Sequence, residues 1–188
     1  MKAASAYCKE TLYETNRFVN HCRSNRGRGS RACASASGPA NEGAGAPIYG
    51  VTIPPGYRDW RLISVTQEEG DFSQLRAQLG NDIAIKAYRE GKLPFPDGTI
   101  LVALDWKRVP SEEDNKVFGR VQAFVAGSPV NMQVMVKDSK KYGATGGWGF
   151  GDFTDGKPAD EAKHKTCFPC HEPVKAQDFV FTRYAPFN

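Results

Sequence analysis

From Thr99 to Val136 the apolar residues recur with the period of a pleated strand, and this constrains the fold more than any other feature of the chain. Successive side chains of a strand point to opposite faces, so a period of two sorts residues into a buried and an open set. Thr99–Lys107 opens on an apolar run. Val117–Val125 places Val117, Gly119, Val121, Ala123 and Val125 on one side, and Val130–Val136 does the same with Val130, Met132, Val134 and Val136. Segments rich in Ser, Pro, Asn and Gly separate the three, a spacing that predicts an antiparallel meander. Arg61–Thr66 alternates and is β-branched, and reads as a strand upstream of them. Asp178–Tyr184 reads as a last short strand, and Gly146–Gly151 as a Gly-rich strand or loop where something bulky approaches the backbone. Helical spacing is confined to short places. Asn81 is placed to cap a helix through Glu90, with Ile83, Ala84, Ala87 and Tyr88 at helical intervals and Gly91, Pro94, Pro96 and Gly98 to stop it. Asp160–Lys165 reads as a helical turn. The expected fold class is α+β: mainly antiparallel β-sheet with a few short helices, in a single domain.

Charge divides the chain. Of its 188 residues, the first 45 hold seven of the 25 basic and three of the 21 acidic ones, and so carry the whole net charge of +4. Residues 46–188 are balanced at 18 of each, so the net positive charge gives no support for a nucleic-acid-binding face on the folded part. Residues 1–45 contain a basic Gly-rich run, Asn25 to Arg31, followed by Ala, Ser, Gly and Pro with little to bury. Such a segment reads as a phosphate-binding arm or as a low-order leader, and its composition favours the leader. Residues 46–188 are expected to form the domain. Three of the five cysteines (Cys8, Cys22 and Cys33) fall in the leader, and the odd total argues against a simple disulfide framework. No stretch approaches the roughly 18 apolar residues of a membrane span. No secretory apolar stretch is visible in the first 30 residues either.

The remaining two cysteines belong to Cys167-Phe168-Pro169-Cys170-His171. Thiols three residues apart reach both vinyl groups of one porphyrin, and the adjacent histidine then lies beneath the iron. This is the pattern of c-type haem attachment, with His171 as proximal ligand. Three other readings compete: a redox C-x-x-C, half of a zinc site completed by His21, His164 or the leader cysteines, and chance. Beyond His171 only 17 residues remain, and none is Met, His or Cys. A sixth iron ligand would have to come from upstream. The candidates are Met132 and Met135, which point to opposite faces if residues 130–136 form a strand. Core packing is the plainer role for both. An iron with an open or weakly held distal position is therefore expected, and with it exogenous ligands rather than simple electron shuttling.

The late motif, followed by Asp178-Phe179-Val180-Phe181-Thr182-Arg183-Tyr184-Ala185-Pro186, resembles the cytochrome P-460 family and its relative cytochrome c′-beta. Tyr57-Arg58-Asp59-Trp60, Pro96-Asp97-Gly98-Thr99, Val136-Lys137-Asp138-Ser139, Trp148 and Phe150 add to the likeness, which spans roughly Ile48 to Phe187. The resemblance implies a mostly antiparallel β fold, a homodimer, one covalent haem c, and binding or oxidation of small nitrogen species such as nitric oxide or hydroxylamine. It implies a role near the haem for Arg183, against the plainer reading of a surface ion pair. It places the family's distal carboxylate near Glu161 or Ala162, where Glu161 would be a proton acceptor or else a solvated helix-end residue. Hydroxylamine-oxidising members cross-link a lysine to the porphyrin, and that position falls on Ala103. Lys107 shares its parity but lies two pleat repeats on, each advancing about 6.6 Å, so no cross-link is expected. The implied partners are a small-molecule ligand at the iron and a redox partner protein. Covalent haem implies the periplasm, although the leader as written lacks an export signal. Only Ala32–Ala36 is like the small-residue end of a cleaved one. A six-coordinate electron-transfer cytochrome is the alternative.

Overall fold

The alternating segments pair into hydrogen-bonded ladders in the order in which they leave the sequence. The computed structural model describes residues 43–185 apart from Asp71. Residues 1–42, which make up most of the expected leader and include Cys8, His21, Cys22 and Cys33, lie outside the described residues. The six strands are β1 (Arg61–Glu68), β2 (Gln74–Gly80), β3 (Ile100–Pro110), β4 (Phe124–Lys137), β5 (Trp148–Thr154) and β6 (Lys157–Pro158). They form one sheet in sequence order, every neighbouring pair antiparallel. Helix α1 (Asp82–Arg89) joins β2 to β3, α2 (Glu112–Phe118) joins β3 to β4, and α3 (Glu161–Lys165) and α4 (Cys167–His171) follow β6. The α+β class and the antiparallel order are as the sequence predicts, although the strands that form the meander differ from the expected ones.

Asn81 caps α1 as expected, its side chain accepting from the Ala84 N–H at 3.0 Å, and Gly91 follows the helix at φ 59°. The Gly-rich segment also behaves as read. The ring of Tyr142 lies against Gly149 and that of Phe179 against Gly146, so a Cβ at either position would overlap an aromatic ring.

Two expected strands are absent, and one strand was missed. Val117 and Phe118, the start of the expected Val117–Val125 strand, are the last two residues of α2, and the chain turns after them. Ser111 accepts from the Asp114 N–H, three acidic residues fill the first turn where the helix dipole favours them, and Gly119 ends the helix at φ 66°. Val117 is 82% exposed and Val121 67%, so their alternation had no face to bury. Pairing begins at Phe124, and β4 then runs through Val130–Val136. The expected strand Asp178–Tyr184 is irregular, because Asp178 and Phe179 are both left-handed (φ 52° and 63°) and turn the chain. It meets the sheet through the Ala185 N–H, which donates to the Ile63 carbonyl at 3.0 Å. The missed strand is β2, a polar–apolar alternation from Gln74 to Gly80 between β1 and β3.

The sheet carries a cluster on each face. Leu101, Trp148, Phe150, Phe179 and α1 residues Ala84, Ile85 and Ala87 pack on one, with Met135, Cys167 and Phe168 against them. Val51, Val102, Val134, Tyr142 and Phe153 pack on the other, with Met132 and Leu104.

Candidate functional site

The C-x-x-C-H segment is α4, which follows α3 after a one-residue joint at Thr166. Asp160 caps α3, accepting from the Lys163 N–H at 2.8 Å. His164 rivets this pair of helices to the sheet. The Asp152 N–H donates to its Nε2 at 3.1 Å, so Nδ1 carries the proton and donates to the Asp160 carbonyl at 2.8 Å. His164 is wholly buried with both nitrogens used, and has no lone pair left for a metal.

His171 is arranged differently. Its Nδ1 donates to the Phe179 carbonyl at 2.7 Å, which leaves the Nε2 lone pair free. Burial holds its pKa below the usual histidine value. The Phe179 bond opposes that, and the positive charge of Arg76 adds to it. The neutral imidazole is the form that ligates a metal. Phe150 and Phe181 stand 5.0 and 5.2 Å from the ring, one on the sheet and one on the closing segment. Cys167 is half-buried against the Trp148–Phe150 cluster, and Cys170 is exposed. Burial, and behind it the Asp152 carboxylate, push the Cys167 thiol up to about 11. Both thiols are free. Together with Nε2 of His171 they are the donor set that this helix offers to a haem.

The sheet face beneath this helix changes character along its strands. One row of paired residues is Gly80, Leu101, Met135 and Phe150. The next is Ser64, Gln78, Ala103, Gln133 and Asp152, and beyond it come Arg76, Asp105 and Asn131. The polar rows are tightly bonded. Arg76 makes a two-pronged pair with Asp105 at 2.7 and 2.9 Å and reaches Glu68 at 3.1 Å and Gln133 at 3.4 Å. Asn131 donates to Asp152 at 3.0 Å, and Ser64 to Gln78 at 3.0 Å. Sequence reading missed this cluster. Its signal was a lone acid, Asp105, inside the apolar run from Ile100 to Trp106.

The other expected positions divide. Ala103 lies on this face between Gln78 and Gln133, while Lys107 pairs with Gln74 two positions beyond Asp105 and is exposed. Of the two methionines, Met135 packs in the cluster that holds Cys167, and Met132 packs on the opposite face. Glu161 is exposed at the start of α3 and pairs with Lys165 at 2.7 Å, which holds its carboxyl below the usual range. Arg183 donates to the carbonyl of Phe181 at 3.0 Å and has no carboxylate partner among the described residues. It lines a groove with Tyr88, Lys92, Gln177 and Tyr184.

A family model described as Cytochrome P460 matches residues 54–182, from the turn before β1 to the segment behind the haem motif. The chain belongs to the cytochrome P460 family. Membership implies a haem cofactor, and the free Nε2 of His171 beside two free thiols fits one. No curated protein matches the chain. No helix among the described residues is long and apolar enough to cross a membrane.

Proposed function

We propose that this chain is an exported, periplasmic cytochrome. It carries one haem c, attached through Cys167 and Cys170 and held at iron by His171, and it binds or transforms small nitrogen species such as nitric oxide or hydroxylamine. The observation that carries this reading is the bond from His171 Nδ1 to the Phe179 carbonyl, which orients the ring and leaves Nε2 free beside the two thiols. A haem held there would supply an iron able to take an exogenous ligand.

The chain's own residues do the rest. Phe179 fixes the tautomer of His171 and raises its basicity as a ligand, the usual service of a partner behind a metal-bound histidine. Phe150 and Phe181 keep water from the imidazole. The Arg76–Asp105 pair, with Gln78, Gln133 and Asn131, offers polar groups suited to a small polar ligand. Ala103 has no amine to join a porphyrin, so the haem has no lysine cross-link. Glu161, paired with Lys165 in solvent, is a poor candidate for proton transfer, and Arg183 acts on the backbone of the closing segment. The buried indole N–H of Trp148 has no acceptor among the described residues.

Residues 1–45 act as a leader to the haem domain, residues 46–188. The protein is a homodimer served by a redox partner protein. In support of the dimer, the face away from α4 bears an apolar groove of about 390 Å³ lined by Val65, Leu75, Ala77, Trp106 and Ala126. Sedimentation velocity checks it, and a monomer at micromolar concentration ends that part of the reading.

The test of the haem reading is a haem stain on a denaturing gel, which only covalent haem survives. The stain is expected for the wild type and lost for Cys170→Ala. Nitric oxide added to the reduced protein is expected to change the haem spectrum, and an unchanged spectrum sinks the ligand-binding reading. A second reading, a six-coordinate electron-transfer cytochrome, is favoured by Met135, which packs against the same apolar cluster as Cys167. It requires a low-spin spectrum that turns high-spin in Met135→Ala.

A further inference from the structure

The Phe179 carbonyl that holds His171 sits in a turn that L-residues disfavour. Asp178 and Phe179 are left-handed in succession, and neither is glycine. Local bonds alone do not impose this. The Asp178 N–H donates to Lys175 at 2.9 Å and the Phe179 N–H to Val174 at 3.2 Å, as at many helix ends. What distinguishes the turn is the Asp178 side chain. It is buried, and both of its oxygens receive the ammonium of Lys137 from β4, at 2.7 and 2.9 Å. The same carboxylate accepts from the Phe95 N–H at 2.8 Å. Lys137 is itself 5% exposed, donates to the Gly146 carbonyl at 3.0 Å and lies over the Trp148 ring at 5.0 Å.

The lysine therefore grips both supports of Phe179. On one side is the aspartate that sets its backbone, and on the other is Gly146, against which its ring packs. The Phe179 ring also stands 5.6 Å from Phe168 of α4. A buried charge pair bound on all sides holds one geometry, because every alternative leaves a charge unpaired in a low-dielectric interior.

We infer that Lys137 and Asp178 are a positioning pair for the haem ligand: they hold the Phe179 carbonyl against His171 Nδ1 and so set the orientation and donor strength of the imidazole at the iron. The inference rests on the haem reading above. A firm Nδ1–H···O bond makes the imidazole a stronger donor and favours the oxidised iron, so loosening it raises the reduction potential.

The experiment measures the reduction potential and the iron–histidine stretching frequency of the holoprotein in Asp178→Asn. This variant keeps an acceptor for the Phe95 N–H but loses the charge. The expected result is a raised potential and a lowered frequency with the haem stain intact. The double variant Lys137→Met/Asp178→Leu removes both charges together, which spares the fold an orphaned ion. It is expected to shift both readouts in the same direction. Wild-type potential and frequency in either folded variant, whatever happens to melting temperature, overturn the inference and leave the pair a plain core contact. Failure of the haem reading looks different: the wild-type protein itself carries no covalent stain, or its axial spectrum survives His171→Ala.

Discussion

The two faces of the sheet are built from the same strands by opposite rules. On the face away from α4, the paired rows through β3, β4 and β5 hold Val102, Val134 and Phe153, and their partners are other apolar groups. On the face beneath α4, the corresponding rows run from Leu101 and Met135 to Gln78, Gln133, Asp152, Arg76 and Asp105. Burial of apolar area stabilises the first without needing any particular geometry. The second buries polar groups, each of which costs free energy unless its partner is in place. A chain accepts that cost where specific chemistry requires it. The comparison therefore sets a face held by apolar burial alone against one where an apolar cluster adjoins polar rows and the candidate site.

The largest effect expected is from Phe153→Ala. Phe153 is 2% exposed, and truncating a buried Phe costs about 3–5 kcal/mol. Denaturant unfolding is expected to show that loss while the haem spectrum and its response to nitric oxide stay as in the wild type. A changed response would break the division between faces.

Asp105→Ala comes next. Its carboxylate is completely buried and removing it leaves Arg76 with Glu68 as its charged partner, so the loss is about 3 kcal/mol, at the low end for a broken buried pair. Here the two readouts are expected to move together, with stability down and the nitric oxide spectrum altered. If stability alone falls, the polar rows are only a costly core.

Labelling of the two thiols in the chain without haem sharpens the site side. Burial pushes Cys167 up to about 11, two units above an ordinary thiol, so its thiolate at pH 8 is about a hundredfold scarcer. Iodoacetamide is expected to modify exposed Cys170 before Cys167. The Cys167 rate should climb about tenfold per pH unit toward 10, because the thiolate grows in that proportion below its pKa. Equal rates at pH 8 would mean that α4 does not rest on the sheet.

How much of this was legible in the sequence follows from where each piece of information sits. The C-x-x-C-H motif and the Asn81 cap were legible because their partners lie within a few residues. The sheet face of Met135 as against Met132 followed from parity alone. Arg76 and Asp105 were not legible as a pair: 29 positions separate them, and only the β2–β3 register brings them together. The Phe179 carbonyl was invisible for another reason, since a backbone acceptor has no residue type to announce it. Asp178–Tyr184 has the composition of a strand, and what prevents one is the left-handed turn held by Lys137, 41 positions away.

Val117–Val125 is the instructive error, and it supplies the smallest effect. The helix signals were present: Ser111 before three acids, and Gly119 where the helix stops. The valine alternation points to a strand, yet it does not outweigh these signals in the fold, because no sheet face lies beneath Val117 and Val121. They belong to neither face of the comparison. Val117→Ser and Val121→Ser are accordingly expected to change stability by less than about 0.5 kcal/mol. On a buried strand face the same changes would each remove about 1.5–3 kcal/mol of burial. A loss of that larger size, read from the denaturation midpoint at constant slope, would mean that these valines are covered after all. Among the apolar surfaces of the chain, the one beside the β3–β4 connection would then have a partner.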